Sequence, residues 1–103
     1  MIGAEGLAIT VGFYATGYGD YRTMPLDELL DRVGRDLLRN YPPRDAAHPW
    51  LAAFREAARP IVLIVRRHGK RSRYQPHRAQ LIAAAAPLEA VVARATGAVT
   101  VLH

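Results

Sequence analysis

The stretch "PIVLIVRR", Pro60 to Arg67, decides how the rest of the chain is read. Five aliphatic residues stand in a row, Ile61 to Val65, and four of them are β-branched. Such side chains are stiff at χ1 and suit a pleated sheet better than a helix. A proline at the head of the run removes a backbone donor and argues against a helix continuing into it. The stretch therefore reads as a buried β-strand.

Working towards the N-terminus, "HPWLAAFREAAR" (His48 to Arg59) carries a helical stripe of Trp50, Phe54 and Ala57. Pro49 suits its first position, and Pro60 is the expected stop. Before it, "MPLDELLDRVGRDLLRNY" (Met24 to Tyr41) places Leu26, Leu30, Val33, Leu37 and Tyr41 on one helical face. Thr23 is its candidate N-cap, Pro25 fits the first turn, and Glu28–Arg32 and Asp31–Arg35 have the spacing of favourable pairs. "LAITVGFYA" (Leu7 to Ala15) is apolar on both faces and reads as a central strand. Towards the C-terminus, Leu81, Ala85, Leu88, Val92 and Ala95 share a face, so Pro76 to Gly97 reads as a helix. Pro87 is expected to kink or split it, and Gly97 to follow its end. "AVTVLH" (Ala98 to His103) reads as a short closing strand.

The order is then β-α-α-β-α-β. It predicts an α/β fold: a small three-stranded, mainly parallel sheet with helices packed on it, in a single domain spanning residues 1–103. A chain of this length can bury about two-thirds of its unfolded surface, enough for one core.

Half of the residues are hydrophobic and 22% are charged, which is a globular composition. The chain has no cysteine, which excludes disulfides and cysteine-based zinc sites and fits a reducing compartment. "MIGAEGLAIT" lacks the basic and apolar regions of a signal peptide, and no apolar run reaches the roughly 18 residues of a membrane span. The expectation is a cytoplasmic protein with no membrane contact.

The charge is unevenly placed. Arg66, Arg67, Lys70, Arg71, Arg73 and Arg78 carry +6 with no acid among them, while the whole chain carries +5, so the remainder sums to 5 − 6 = −1. In a parallel sheet, the segments leaving the C-terminal ends of the strands share one edge, where ligands of open α/β sheets bind. That places "TGYGDY" (Thr16 to Tyr21) beside the basic segment, with His103 on the same edge. The candidate ligand-binding residues are Arg66, Arg67, His68, Lys70, Arg71, Arg73 and Tyr74, with Tyr18 and Tyr21 from the glycine-bearing turn. Arginine forks match phosphate and carboxylate, and tyrosine rings can stack on bases. Engagement of all six cations with phosphates predicts a log–log salt slope of about −5. The competing reading is a solvated loop whose charges bind nothing.

Other chemistry has weaker support. "TGYGD" is neither a P-loop nor a dinucleotide-binding turn. The only serine is Ser72, so serine hydrolase chemistry has no basis. Cations between His68 and His77 disfavour a metal, and no metal or other cofactor is expected. No catalytic residue is assigned. A binding module for nucleic acid or an acidic protein patch is the leading reading. The alternatives are a protein–protein module that forms a homodimer, adaptor or immunity-type complex, and a metal-independent ribonuclease or toxin drawing on Asp20, His68, Lys70, Arg73, Tyr74 and His77.

In layout, the order of strand, helices, strand, broken helix and strand resembles that of barstar, the small ribonuclease inhibitor, whose inhibitory surface is acidic. "IVLIVRRHGKRSRYQPHRAQLIAAAA" (Ile61 to Ala86) is similar to the end of RelE-type toxins, where an aliphatic strand runs into a basic segment and a helix. Neither likeness carries a specific motif, and the chain is assigned to no family on them.

Overall fold

A computed structural model describes residues 3–45 and 47–97. They form α1 (Ala4–Thr16), α2 (Leu26–Asn40), α3 (Trp50–His68), a 3-10 turn (Gly69–Arg73), α4 (His77–Ala84) and α5 (Ala86–Thr96). No strand occurs among the described residues. The α/β expectation is thereby corrected to an all-helical fold, and the barstar-like and toxin-like layouts, which both need a sheet, go with it. The expected closing strand, with His103, lies outside the described residues.

The correction turns on α3, which runs through Pro60 and absorbs both the short helix and the expected strand. Its buried positions are Trp50, Phe54, Ala57, Ala58, Ile61, Val62 and Val65, a spacing of three and four with adjacent pairs. Leu63 is 48% exposed while Ile61, Val62 and Val65 are fully buried. A strand would put Ile61, Leu63 and Val65 on one face, so this pattern belongs to a helix.

Magnitudes explain why the β-branched run tolerates it. A valine or isoleucine costs a helix at most about 0.7 kcal/mol, and a mid-helix proline about 3 kcal/mol. Full burial of each large apolar side chain contributes about 1.5–3 kcal/mol, and α3 buries five. Pro60 and Glu56, whose carbonyl loses its helical partner, both face solvent, so water can take the missing bond.

α1 replaces the first expected strand. Leu7, Ala8, Val11, Gly12 and Ala15 form its buried stripe. The outward face carries Phe13, 62% exposed, which hides the helical period and makes the segment look apolar on both sides. α2 forms where the period places it, burying Leu29, Leu30, Val33 and Leu37. Thr23 does not cap it; its hydroxyl donates to the Asp20 carbonyl instead (3.3 Å), and Pro25 precedes the first turn. Glu28 pairs with Arg32 as expected, at 3.1 Å. Asp31 is held by Arg55 of α3, whose Nε and Nη2 donate to its two oxygens at 2.6 and 2.9 Å. Those hydrogen bonds hold the Asp31 carboxyl below the usual carboxylate range.

α2 and α3 meet closely at Gly34. A Cβ there would lie 2.9 Å from the Phe54 ring, and the Trp50 indole donates to the Gly34 carbonyl at 2.9 Å. Every other helix packs on α3. The long helix expected from Pro76 to Gly97 is split at Ala85, with Pro87 in the first turn of α5, and Gly97 ends it at φ 69°. No helix of the described residues is long and apolar enough to cross a membrane.

Candidate anion-binding site

The basic segment is not one loop. Arg66, Arg67 and His68 form the last turn of α3, and Gly69 then leaves the helix at φ 62°, ψ −142°. That backbone conformation is open to glycine and strained for other residues. The following 3-10 turn is tied back by Ser72, which is buried and donates its hydroxyl to the Gly69 carbonyl at 2.7 Å. A Cβ on Gly69 would overlap the Arg22 guanidinium and approach the Tyr21 hydroxyl to 2.9 Å. The missing side chain thus lets the α1–α2 connection seat against the end of α3. Arg66 fixes that seat from the other side by donating to the Arg22 carbonyl at 3.0 Å.

Where the two connections meet, a cleft of about 620 Å³ opens, lined by Tyr21, Arg22, Arg67, His68, Lys70, Arg71 and His77. Four of these side chains are cationic, and among the described residues no carboxylate lines the cleft. None of the four forms an ion pair among the described residues. Five of the chain's nine acids are engaged elsewhere: Glu5 with Arg78, Asp27 with Arg59, Glu28 with Arg32, Asp31 with Arg55 and Asp36 with Arg39. Converging like charges oppose folding, so stability does not account for this grouping.

His68 and His77 meet within the cleft. Their rings stack with centroids 3.7 Å apart and planes 15° from parallel. Burial lowers the His68 pKa from its ordinary value, and the neighbouring His77 and Arg67 lower it further. No group of three or more potential metal ligands converges among the described residues.

The structure divides the candidate residues expected from the sequence. Arg67, His68, Lys70, Arg71 and Tyr21 are brought together in the cleft lining. Arg66 acts on the backbone of the α1–α2 connection. Arg73 lies along α1, with its guanidinium 5.4 Å from the Phe13 ring centroid and a donor 3.4 Å from Thr16 Oγ1. Tyr74 follows it and is 68% exposed. Tyr18 is turned to α2, donating to Asp36 at 2.6 Å beneath the Arg32 guanidinium. Burial, and then Asp36, raise its pKa. Of the residues considered for ribonuclease chemistry, His68, Lys70 and His77 line the cleft, whereas Asp20, Arg73 and Tyr74 do not.

Arg22 is the cleft residue that the sequence reading missed, and His77 was weighed there for metal binding and catalysis but not as a ligand-binding residue. The signal for Arg22 was its place next to Tyr21 in the connection already expected to face the basic segment.

No protein-family model matches the chain, and neither a curated protein nor a solved structure matches it.

Proposed function

We propose that this protein is a non-enzymatic binding module for a phosphate-bearing polyanion, single-stranded nucleic acid above all. The observation that carries the reading is the convergence of Arg22, Arg67, Lys70 and Arg71 on a cleft that no carboxylate of the described residues lines. Guanidinium forks and an ammonium suit phosphate oxygens. Two exposed rings beside the basic turn, Phe13 under Arg73 and Tyr74, favour nucleic acid over an acidic protein patch, because they offer stacking platforms for unpaired bases. The cysteine-free composition fits a cytoplasmic setting for this role.

Four engaged cations, rather than the six counted along the sequence, revise the expected log–log salt slope to about −3 for a single strand. Filter binding of a single-stranded oligonucleotide at about 50 and about 200 mM salt tests this, with affinity expected to fall by roughly 50-fold between them. Absence of binding at the lower salt, or affinity indifferent to salt, contradicts the reading. Following RNA length in the same assay reports on the nuclease alternative, for which intact RNA is expected.

A further inference from the structure

The stacked imidazoles give the cleft a second property, one that rests on the polyanion reading. His68 is the last residue of α3 and His77 the first of α4. The charged and titratable groups around them come from each neighbouring element. Arg67 belongs to α3, Lys70 and Arg71 to the 3-10 turn, and Tyr21 and Arg22 to the α1–α2 connection, all within the cleft lining. Two carboxylates adjoin this region without lining the cleft: Asp20 precedes Tyr21 in the α1–α2 connection, and Glu5 of α1 is taken by Arg78, the residue after His77. α5 contributes no charged group to the cleft.

In a pair stacked at 3.7 Å one ring can carry a proton while the other stays neutral, because a neutral imidazole face tolerates an imidazolium above it. Two imidazoliums at that separation, among four fixed cations, repel strongly. In the free cleft His68 is therefore held back from protonation. A phosphate in the cleft reverses the balance, since it offsets the surrounding positive charge and accepts hydrogen bonds from protonated ring nitrogens. By linkage, an anion that raises the pair's proton affinity is itself bound more tightly when the pair is protonated.

We propose that the His68–His77 pair couples phosphodiester binding in the cleft to the uptake of a proton. Affinity then rises as pH falls through the histidine range, by up to about tenfold per pH unit where one whole proton is taken up. The sign for stability is opposite in the free protein. His68 has a folded-state pKa below its unfolded value, so the unfolded chain binds more protons there. Its contribution to stability is present above about pH 6.5 and is lost as pH falls towards the folded pKa.

An oligothymidylate is a suitable probe, because its phosphodiesters stay ionised across the window. Its affinity is measured from pH 7.5 to pH 5.5 at fixed salt, for the wild type and for His68→Phe/His77→Phe, which keeps two stacked rings but no titrating nitrogen. The expected result is at least fivefold tighter binding by the wild type at the lower pH, and a flat profile for the variant at whatever affinity the four remaining cations give it. Wild-type binding indifferent to pH overturns the coupling and leaves the polyanion reading standing. No binding at either pH overturns both. Equal pH dependence in wild type and variant overturns the assignment to this pair. If the variant does not fold, NMR titration of the wild-type imidazoles decides the point: midpoints of the pair that move up on adding oligothymidylate support the coupling, and unmoved midpoints overturn it.

Discussion

At Gly69 a missing side chain and an unusual backbone serve the cleft together. The positive φ of 62° at ψ −142° is costly for an L-residue, and a Cβ would push directly on Arg22 and Tyr21. Gly69→Ala is expected to destabilise the fold by about 1–3 kcal/mol, lowering Tm by roughly 5 °C or more in a chain of this length. It should also weaken oligonucleotide binding under conditions where the variant is still folded, because Arg22 is displaced from the cleft. Thermal melts followed by circular dichroism, paired with a binding isotherm, check both; unchanged stability and affinity would contradict the role given to Gly69. At this scale the sequence was partly legible. It marked Arg67, Lys70 and Arg71 as a group, but it could not tell them from Arg66, Arg73 and Arg78, which have intramolecular partners. Those partners, Arg22, Thr16 and Glu5, lie more than 40 residues away, so spacing within the segment carries no trace of them.

The elements divide by the strength of their periodicity. α2 was legible because polar and apolar residues alternate at helical period along its whole length, and the split helix at Pro87 because proline chemistry is local. α1 and the second half of α3 were not. Each contains an apolar run in which the exposed positions, Phe13 and Leu63, are as hydrophobic as the buried ones. Local propensity then favours a strand, and only the surrounding core selects the helix. Pro60 tests the point. Restoring an N–H within a real helix gains about 3 kcal/mol, less up to about 1 kcal/mol for the freer unfolded chain. Pro60→Ala should therefore stabilise the protein by about 2 kcal/mol, read as a raised urea midpoint at unchanged m. A helix ending at Arg59 before a strand would make the substitution neutral or harmful.

Over the whole molecule, one relationship expected from the sequence is present for a different reason. The turn after the first element and the basic segment were expected to meet at the edge of a parallel sheet. They do meet, through Tyr21 and Arg22 against Gly69 and the turn that follows, but as connections between helices packed on α3. Segments that join elements stay at the surface in either architecture, because their backbone groups need water or side-chain partners. Surface placement alone does not bring two connections together; the sheet edge on which the expectation rested is absent among the described residues, and packing on α3 joins them instead.

The molecule's positive charge is concentrated at that junction, and the central claim is that its placement, more than its total, makes the protein bind polyanions. A charge-matched comparison tests this most directly. Arg67→Ala/Arg71→Ala and Arg32→Ala/Arg39→Ala both lower the net charge from +5 to 5 − 2 = +3, but only the first pair removes charge from the cleft. The measurement is oligonucleotide affinity as a function of salt for both variants, with folding verified by circular dichroism. The cleft variant is predicted to lose at least tenfold in affinity and to show a salt slope shallower by about 1.4, while the α2 variant stays within twofold of wild type. Equal losses in the two variants, or no loss in the cleft variant, would contradict the account.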